Sequence, residues 1–415
     1  MKLKNLIGEN AKTELIIGSF IIVSLTFLGN IFSYLFQFFM ARMLGPSDYV
    51  VVAILTSIMA LFAIPTLAIQ TVISKKTTEL KFKKEDGKIQ GLMNSSLKKM
   101  FYLGLIFFIL YSIFSIVLSK ILDIKYIYLF LGGVFIFGAF TYPVLAGIIQ
   151  GLKRFKELGL NFLLNCVVKF FVAISLVYMG FRIYGAILGF LSGMFLALIV
   201  LFYNIKSVTK SKTKKFEIKI FYGENAYFMY AMLIIVLMYS LDVIFAKAFF
   251  NSEIAGRYSV ISLIGKTIFF VISSIGTAMF PINTERFVSG KSTKSVFRKA
   301  ILLALIISIS AVIIFSLFPH FIINILFGDA YSSASNLLVY LGIAFSFCSL
   351  LYLMILQNIS MNKIKVKQII GLSLFLILEL SIFFLFHATI EQFSIGFMIS
   401  NIIAFFGGYL IFKNG

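Results

Sequence analysis

Six charged residues lie inside long apolar runs of the chain, where a charge needs a specific reason to be kept. They are, in chain order, Lys169, Asp242, Lys247, Arg257, Lys266 and Glu379. If these runs cross a bilayer, each charge costs about 2.5–3.5 kcal/mol on insertion scales and is expected to face a protein interior or a wet cavity. Lys247 and Arg257 lie near the ends of their runs and can reach the interface, whereas Lys169 and Lys266 lie deeper.

The chemistry that these charges favour is the binding of an anion. Lysine is a good point-charge partner for phosphate, and the runs before residue 206 contain no Asp or Glu away from their ends. This distribution argues against binding of lipophilic cations. Asp242 and Glu379 have two interpretations, as counter-ions of the buried lysines or as sites that couple transport to protons or sodium.

Polar side chains recur at helical spacing in three of the runs, which indicates polar stripes on helices. The three sets are Asn161, Asn165 and Lys169; Ser259, Ser262, Lys266, Ser273 and Thr277; and Ser19, Thr26, Asn30, Ser33 and Gln37. Such stripes either join helices or line a hydrated cavity, and the two lysines among them favour the cavity. Gly185, Gly189 and Gly193 form a GxxxGxxxG face, which predicts close helix packing.

Residues suited to catalysis or metal binding are scarce. His320 and His387 are too isolated for a zinc site or a Ser/His/Asp relay, and Cys166 and Cys348 lie in apolar runs without a disulfide framework. The longest outer loop, 319–335, contains no Lys or Arg. We therefore expect neither an enzyme nor a resident cofactor, and a membrane transferase is disfavoured.

The elements that must position these residues follow from composition. Hydrophobic residues make up 60% of the 415 residues and charged residues 13%, and the mean hydropathy is +1.03. A spanning helix takes about 20 apolar residues, so the chain has material for roughly twelve. We predict an all-α polytopic membrane protein with spans near 15–41, 49–73, 100–119, 127–150, 158–180, 184–205, 221–247, 254–281, 300–318, 336–356, 369–387 and 394–412.

The basic residues are distributed unequally between the two sides of this arrangement. The segments on the side of the N-terminus hold 29 Lys and Arg, and those on the opposite side hold 4. Positive residues mark the cytoplasmic side, so both termini are expected in the cytoplasm. The same distribution explains the net charge of +21 without nucleic acid as a partner.

The chain divides into two halves of six spans each. A basic segment, 206–220, is the expected cytoplasmic linker between an N-terminal lobe, 1–205, and a C-terminal lobe, 221–415. Tyr49 and Tyr258 follow similar motifs 209 residues apart, and Gln150 and Gln357 are 207 residues apart. Because six spans return the chain to the same side, this spacing predicts a parallel pseudo-repeat.

Several motifs resemble those of one transporter family. Residues 41–49, ARMLGPSDY, are similar to the ARxLGPxxYG signature of Wzx-type polysaccharide-biosynthesis flippases, in the multidrug/oligosaccharidyl-lipid/polysaccharide (MOP) superfamily. Further similar features are Asp242, Gly256-x-Tyr258, Phe280-Pro281, the segment 150–155 (QGLKRF) and the segment 327–331 (FGDAY). The resemblance extends over nearly the whole chain.

The resemblance implies a MATE-like fold of two lobes around a cavity that opens alternately to each side. It implies a polyprenyl-pyrophosphate-linked glycan as cargo, the cytoplasmic membrane of a prokaryote as location, and association with a polysaccharide polymerase or glycosyltransferases. Within this frame we expect the cargo to bind at Lys169, Lys266, Asn161, Asn165, Asn30, Gln37, Arg42 and Arg257, and the coupling ion at Asp242 and Glu379. Two alternatives remain: a cation-coupled multidrug exporter of the same superfamily and a peptidoglycan-precursor flippase.

Overall fold

The structure, a computed structural model, describes residues 9–206 and 225–413. Helices make up nearly all of this part of the chain, and no strand is present in it. The fifteen α-helices are α1 Glu9–Leu44, α2 Pro46–Leu61, α3 Ala63–Phe82, α4 Asp86–Ile121, α5 Tyr126–Gly133, α6 Phe135–Gly151, α7 Phe155–Leu176, α8 Arg182–Lys206, α9 Asn225–Phe249, α10 Ser252–Val288, α11 Lys294–Leu317, α12 Pro319–Phe327, α13 Leu337–Ser360, α14 Val366–Leu385 and α15 Ile390–Lys413.

The helices confirm a polytopic membrane fold. Ten helical stretches in the described residues are long and apolar enough to cross a bilayer, and the bent pair of α2 and α3 adds an eleventh. One stretch of 51 residues contains both α7 and α8. The left-handed backbone of Gly180 (φ 93°) and Arg182 (φ 47°) reverses the chain within that stretch. Division at this turn gives the twelve predicted spans.

The second predicted span, 49–73, is not one continuous helix. Helix α2 ends at Leu61 and α3 begins at Ala63, and the two helix axes are bent by 41°. Pro65 explains the break, because it has no N–H to bond the carbonyl of Leu61 one turn earlier. The segment 74–99, expected as a loop, is also largely helical, since its Lys, Glu and Gln residues are good helix formers.

Contacts divide the chain into two compact units that differ from the predicted lobes by one helix. The first unit comprises residues 1–43 and 62–220, and the second comprises 44–61 and 221–415. Helix α2 therefore belongs to the first half by sequence and to the second unit by packing. Residues 207–220 of the predicted linker lie outside the described residues.

The first unit contains an antiparallel hairpin of α7 and α8, in which the GxxxGxxxG face makes the contact. A Cβ added at Gly189 would lie 2.5 Å from Cβ of Ala173, and one at Gly193 would lie 2.5 Å from the carbonyl oxygen of Asn165. Only glycine permits this approach of the two backbones. The packing prediction for Gly185, Gly189 and Gly193 is confirmed.

The second unit is held together at the start of α10 by an equally close contact. A Cβ on Gly256 would lie 1.9 Å from the carbonyl oxygen of Pro46 in α2. The clashing atom belongs to the backbone, so no side-chain rotation can relieve the overlap. Tyr49 of α2 and Tyr258 of α10 are both fully buried beside this contact point on their helices.

We expect Gly256→Ala to lower the unfolding free energy by about 1–3 kcal/mol, because α2 and α10 must separate to admit the methyl group. Thermal unfolding of the purified protein in detergent measures this effect. Gly104→Ala in α4 is the matched control, since its Cβ would meet nothing closer than 3.6 Å. Equal melting temperatures for the two variants would contradict the close contact.

One helix-ending turn of the first unit has a counterpart in the second unit at the spacing of the predicted parallel pseudo-repeat. Lys153 after α6 and Asn362 after α13 both have positive φ, 60° and 55°, and lie 209 residues apart. In this register Gln150 and Gln357 are offset by two residues. Each glutamine nonetheless bonds a polar side chain of its own unit: Gln150 accepts from Gln70 at 2.9 Å, and Gln357 donates to Thr293 at 2.8 Å.

Candidate functional site

Lys169 lies in the interior of the first unit, on α7. Its side chain is 8% exposed, and its Nζ donates a hydrogen bond to Oγ of Ser33 on α1 at 3.1 Å. The ammonium also lies over two aromatic rings, 5.0 Å from the centroid of Phe36 and 4.9 Å from that of Phe190. Cation–π contacts in a desolvated setting stabilise such a charge by about 2 kcal/mol.

No carboxylate compensates Lys169 among the residues that the structure describes. The ion pairs of the first unit lie at helix ends and use other lysines and arginines. Those described include Lys76–Glu79, Lys81–Asp86, Lys88–Glu85 and Arg154–Glu157. The contacts of the Lys169 amine that the structure describes are therefore one hydroxyl and two ring faces.

The asparagines of the same stripe face α8. Nδ2 of the buried Asn161 donates to the carbonyl oxygen of Ala197 at 2.9 Å, while its Oδ1 has no partner in the described residues. Asn165 lies against Gly193. The Asn161 amide thus joins α7 to α8, and a role in sugar binding stays a prediction for both asparagines.

The predicted residues of α1 are not all brought to Lys169. Ser33 is the one that bonds it, and Ser33 in turn donates to Sγ of Cys166 at 3.3 Å. Asn30 and Arg42 have exposed side chains, and Gln37 is half-buried. Sequence reasoning missed the two phenylalanines around Lys169, because aromatic residues occur throughout these spans.

Lys266 has a different environment, in the second unit. Its Nζ donates to Oδ1 of Asp242 at 3.0 Å, and Asp242 is completely buried. The other carboxylate oxygen of Asp242 accepts bonds from Ser262 and from the hydroxyl of Tyr258, the latter at 3.4 Å. The structure therefore makes Asp242 the direct counter-ion of Lys266.

The remainder of the serine stripe on α10 serves its own helix. Three of its hydroxyls donate to backbone carbonyls one turn earlier in α10. The pairs are Ser259 to Ala255, Ser273 to Phe270 and Thr277 to Ser273. Three members of this stripe also meet a polar side chain of another helix: Ser262 and Lys266 bond Asp242 on α9, and Thr277 bonds Tyr352 on α13.

Glu379 on α14 is the second buried acid of this unit, with no exposed surface. Its Oε2 accepts a long bond of 3.4 Å from Nδ2 of Asn401 on α15. Its Oε1 has no hydrogen-bond partner in the described part of the chain. Sequence reasoning missed Asn401, although an amide in an otherwise apolar span is a signal for a buried polar partner.

Arg257 belongs to a surface contact at the start of α10. Its guanidinium donates to Glu253 at 2.6 Å and to the carbonyl oxygen of Ala330 at 3.0 Å. The second contact ties α10 to the segment 327–331. Lys247, near the end of α9, is buried.

The histidines of the second unit make local contacts. Nδ1 of His320 is 2.9 Å from Oγ of Ser335, and the ring of His387 stacks on Phe249 at 4.6 Å. Groups of three or more metal-binding side chains are absent from the residues described.

Solved structures of known transporters share the fold of this chain. A MATE family multidrug resistance transporter of the MOP superfamily, in an inward-facing conformation, is similar with a TM-score of 0.76 and 13% identity, over 95% of this chain and 98% of that one. The eukaryotic MATE transporter AtDTX14 matches with a TM-score of 0.62 and 14% identity, over 97% and 95% of the two chains. The chain thus has the fold of MOP superfamily transporters.

A third structure comes from Pyrococcus furiosus Vc1, a MOP superfamily transporter for which reversed polarity of the binding pocket suggests a different function. It matches with a TM-score of 0.60 and 16% identity, over 97% of this chain and 94% of that one. Comparison with curated protein sequences finds no match. The family model described as polysaccharide biosynthesis protein matches residues 15–287, and the chain belongs to this family.

Proposed function

We propose that the protein moves polyprenyl-pyrophosphate-linked oligosaccharides across the cytoplasmic membrane of a prokaryote, for the synthesis of cell-surface polysaccharide. The observation that carries this proposal is Lys169, a buried ammonium without a carboxylate partner in the described residues. Membership of the polysaccharide biosynthesis family supports the glycan part of the cargo. The two units would open to either side of the membrane in turn.

The charge of Lys169 favours a cargo with a compact anion. Ser33 supplies one oxygen, while an ammonium has three donors, so two remain for a ligand. A pyrophosphate offers several strong acceptor oxygens and compensates the buried charge. The ring faces of Phe36 and Phe190 hold the ammonium while no anion is bound.

The two lysines predicted to bind the cargo, Lys169 and Lys266, differ in whether an acid already neutralises them. Lys266 already has the carboxylate of Asp242, so a second anion there would meet a neutralised charge. We therefore assign pyrophosphate binding to Lys169 and a supporting role to Lys266. Sugar hydroxyls would bond Asn30, Gln37 and Arg42, and the polyprenyl chain would stay in the lipid.

Orientation and partners complete the proposal. The predicted excess of Lys and Arg on one side supports both termini in the cytoplasm, where lipid-linked sugars would be loaded. A polysaccharide polymerase or glycosyltransferases are the proposed protein partners, since they would consume or supply this cargo. Coupling to protons or sodium belongs to Asp242 and Glu379.

Two other functions use the same fold. A cation-coupled multidrug exporter would need acidic groups toward its cargo, yet Asp242 is bonded to Lys266, Ser262 and Tyr258. A flippase for the peptidoglycan precursor would bind the same pyrophosphate, so Lys169 serves that cargo equally well.

Reconstitution in liposomes tests these functions against one another. The probe is a polyprenyl-pyrophosphate oligosaccharide with a fluorescent label, and an impermeant quencher reports which leaflet it occupies. We expect the quencher to reach label from both leaflets with protein and only from the outer leaflet without it. Movement of a lipophilic cationic dye instead would favour the exporter, and movement of the peptidoglycan precursor alone would favour the second alternative.

A further inference from the structure

Helix α12 is too short to cross a bilayer, and it lies between two helices that are long and apolar enough to do so. Its 9 residues extend about 14 Å, whereas the hydrocarbon core is about 30 Å thick. Helix α11 before it and helix α13 after it have 24 residues each. The segment between the end of α11 and the start of α13 therefore lies at one surface of the membrane, the one predicted to be the outer surface.

Helix α12 has two apolar faces with opposite exposure. Ile323 and Phe327 are buried, at 0% and 2% exposed. Phe318, which caps the helix, and Phe321 and Ile325 within it are 55%, 64% and 56% exposed. Positions i, i+3 and i+7 share one side of a helix, so the last three side chains form an exposed apolar stripe.

The surroundings of this stripe carry very little charge. Lys and Arg are absent from residues 300–362 of the sequence, and Asp329 is the one acid in that range. A soluble protein that docked there would find few charged groups to fix its orientation. Lipid hydrocarbon needs apolar contact alone, and it therefore matches the stripe better than a protein surface does.

The stripe also continues a surface of α11 that faces lipid. Large side chains on α11 are more than half exposed at a spacing of three or four residues. They are Ile306, Ile309, Ile313 and Leu317, at 61%, 57%, 52% and 66% exposed. This spacing defines one face, which a membrane-spanning helix turns toward lipid. Phe318 follows Leu317 in the chain, so exposed apolar side chains continue from the span onto α12.

Polar contacts attach this region to the rest of the second unit. Nδ1 of His320 on α12 is 2.9 Å from Oγ of Ser335, just before α13. Arg257 at the start of α10 donates to the carbonyl oxygen of Ala330 at 3.0 Å. The segment 327–335 is thus joined to α10 on one side and to α12 on the other.

We propose that α12 is an interfacial membrane anchor, whose exposed stripe inserts among the upper parts of the lipid acyl chains. Helices of this kind lie in the plane of the interface, with the apolar face buried about 5–10 Å into the boundary between headgroups and acyl chains. The occupant of the stripe is lipid rather than a protein partner or a second copy of the chain. Through its other contacts, α12 holds the segment 327–335 against the start of α10.

Tryptophan fluorescence tests the depth of α12, because the sequence contains no tryptophan and a single indole reports only its own surroundings. Phe321→Trp places the indole on the stripe. The matched controls are Phe114→Trp, 58% exposed within the span of α4, and Phe82→Trp, 89% exposed at the end of α3. Each variant is reconstituted in liposomes whose lipids carry bromine near the headgroup end or near the tail end of the acyl chain. Iodide quenches from the water.

Bromine near the headgroup end should reduce the emission of Phe321→Trp by about twofold, and bromine near the tail end should reduce it less. Phe114→Trp should respond most to bromine near the tail end, and Phe82→Trp to iodide alone. If iodide quenches Phe321→Trp as strongly as Phe82→Trp and brominated lipid does not, the stripe lies in water and is open to a protein. If Phe321→Trp responds like Phe114→Trp, α12 lies in the hydrocarbon core. Either result would overturn the proposal.

Amide hydrogen exchange of the protein in lipid tests the anchoring. The double variant Phe321→Ser with Ile325→Ser changes only exposed positions, so the second unit should still fold. We expect exchange in the segment 327–335 to become several-fold faster in this variant and to stay unchanged in the control Phe82→Ser. Unchanged exchange in the double variant would show that the stripe anchors nothing. Neither measurement uses cargo, so both results are independent of the proposed function.

Discussion

Replacement of Lys169 by alanine is expected to reduce flipping of the lipid-linked oligosaccharide at least tenfold without loss of folded protein. The ammonium is the buried cation of the first unit that has no acidic partner in the described chain, so its removal leaves no carboxylate uncompensated. Lys169→Arg should keep part of the activity, because the charge survives in a different geometry. The quencher assay in liposomes, with yield and melting temperature of each variant, measures both effects.

Controls for Lys169 separate lost charge from lost packing. Lys169→Met keeps most of the apolar stem between Phe36 and Phe190 and should be as inactive as the alanine variant. Lys120→Ala, at the exposed end of α4, removes a lysine from the surface and should flip normally. If Lys169→Ala flips the probe at the wild-type rate, the proposed anion site at Lys169 is wrong.

Lys266→Ala is expected to act on stability first. The substitution removes the cation that compensates the fully buried carboxylate of Asp242. Breaking such a buried pair lowers the free energy of unfolding by about 3–5 kcal/mol. We expect a lower yield and a lower melting temperature in detergent. The double variant Asp242→Asn with Lys266→Met should recover most of the loss, since it leaves neither charge alone.

A double-mutant cycle in thermal unfolding measures this coupling between Asp242 and Lys266. The expected coupling is large because the two atoms are 3.0 Å apart in the interior. If Lys266→Ala melts like the wild type and yet loses flipping, Lys266 belongs to the cargo site and the ion pair is broken during transport.

The parts of the fold that follow from local sequence were predictable. Hydropathy reports the spans directly, since each apolar run must cover a bilayer on its own. The glycines of α8 predicted packing because their spacing defines one face of one helix. The bend at Pro65 was not predicted. The residues on both sides of the break are apolar, so hydropathy alone reports one span there, even though a proline is a signal for a bend.

The pairing of buried charges was beyond the sequence. Periodicity places Lys266 on a face of α10, but it does not say whether α9 or α14 brings an acid to that face. Asp242 is 24 residues away and Glu379 is 113 away, and the structure pairs the first. The partner Asn401 was missed for the same reason, since its role depends on how α14 and α15 are rotated.

The placement of α2 has a consequence for the order in which the protein is made. Helix α2 is complete at Leu61, whereas its partner α10 begins at Ser252, roughly 190 residues later. At about 5–20 residues per second, α2 spends on the order of 10–40 s in the membrane before that partner has emerged. During synthesis its face toward Gly256 must be covered by something other than α10, such as lipid, another protein or an earlier helix of the same chain. The later half of the chain does not contain the whole core of the second unit. This unit is therefore complete only after α2, an early helix, has packed against it.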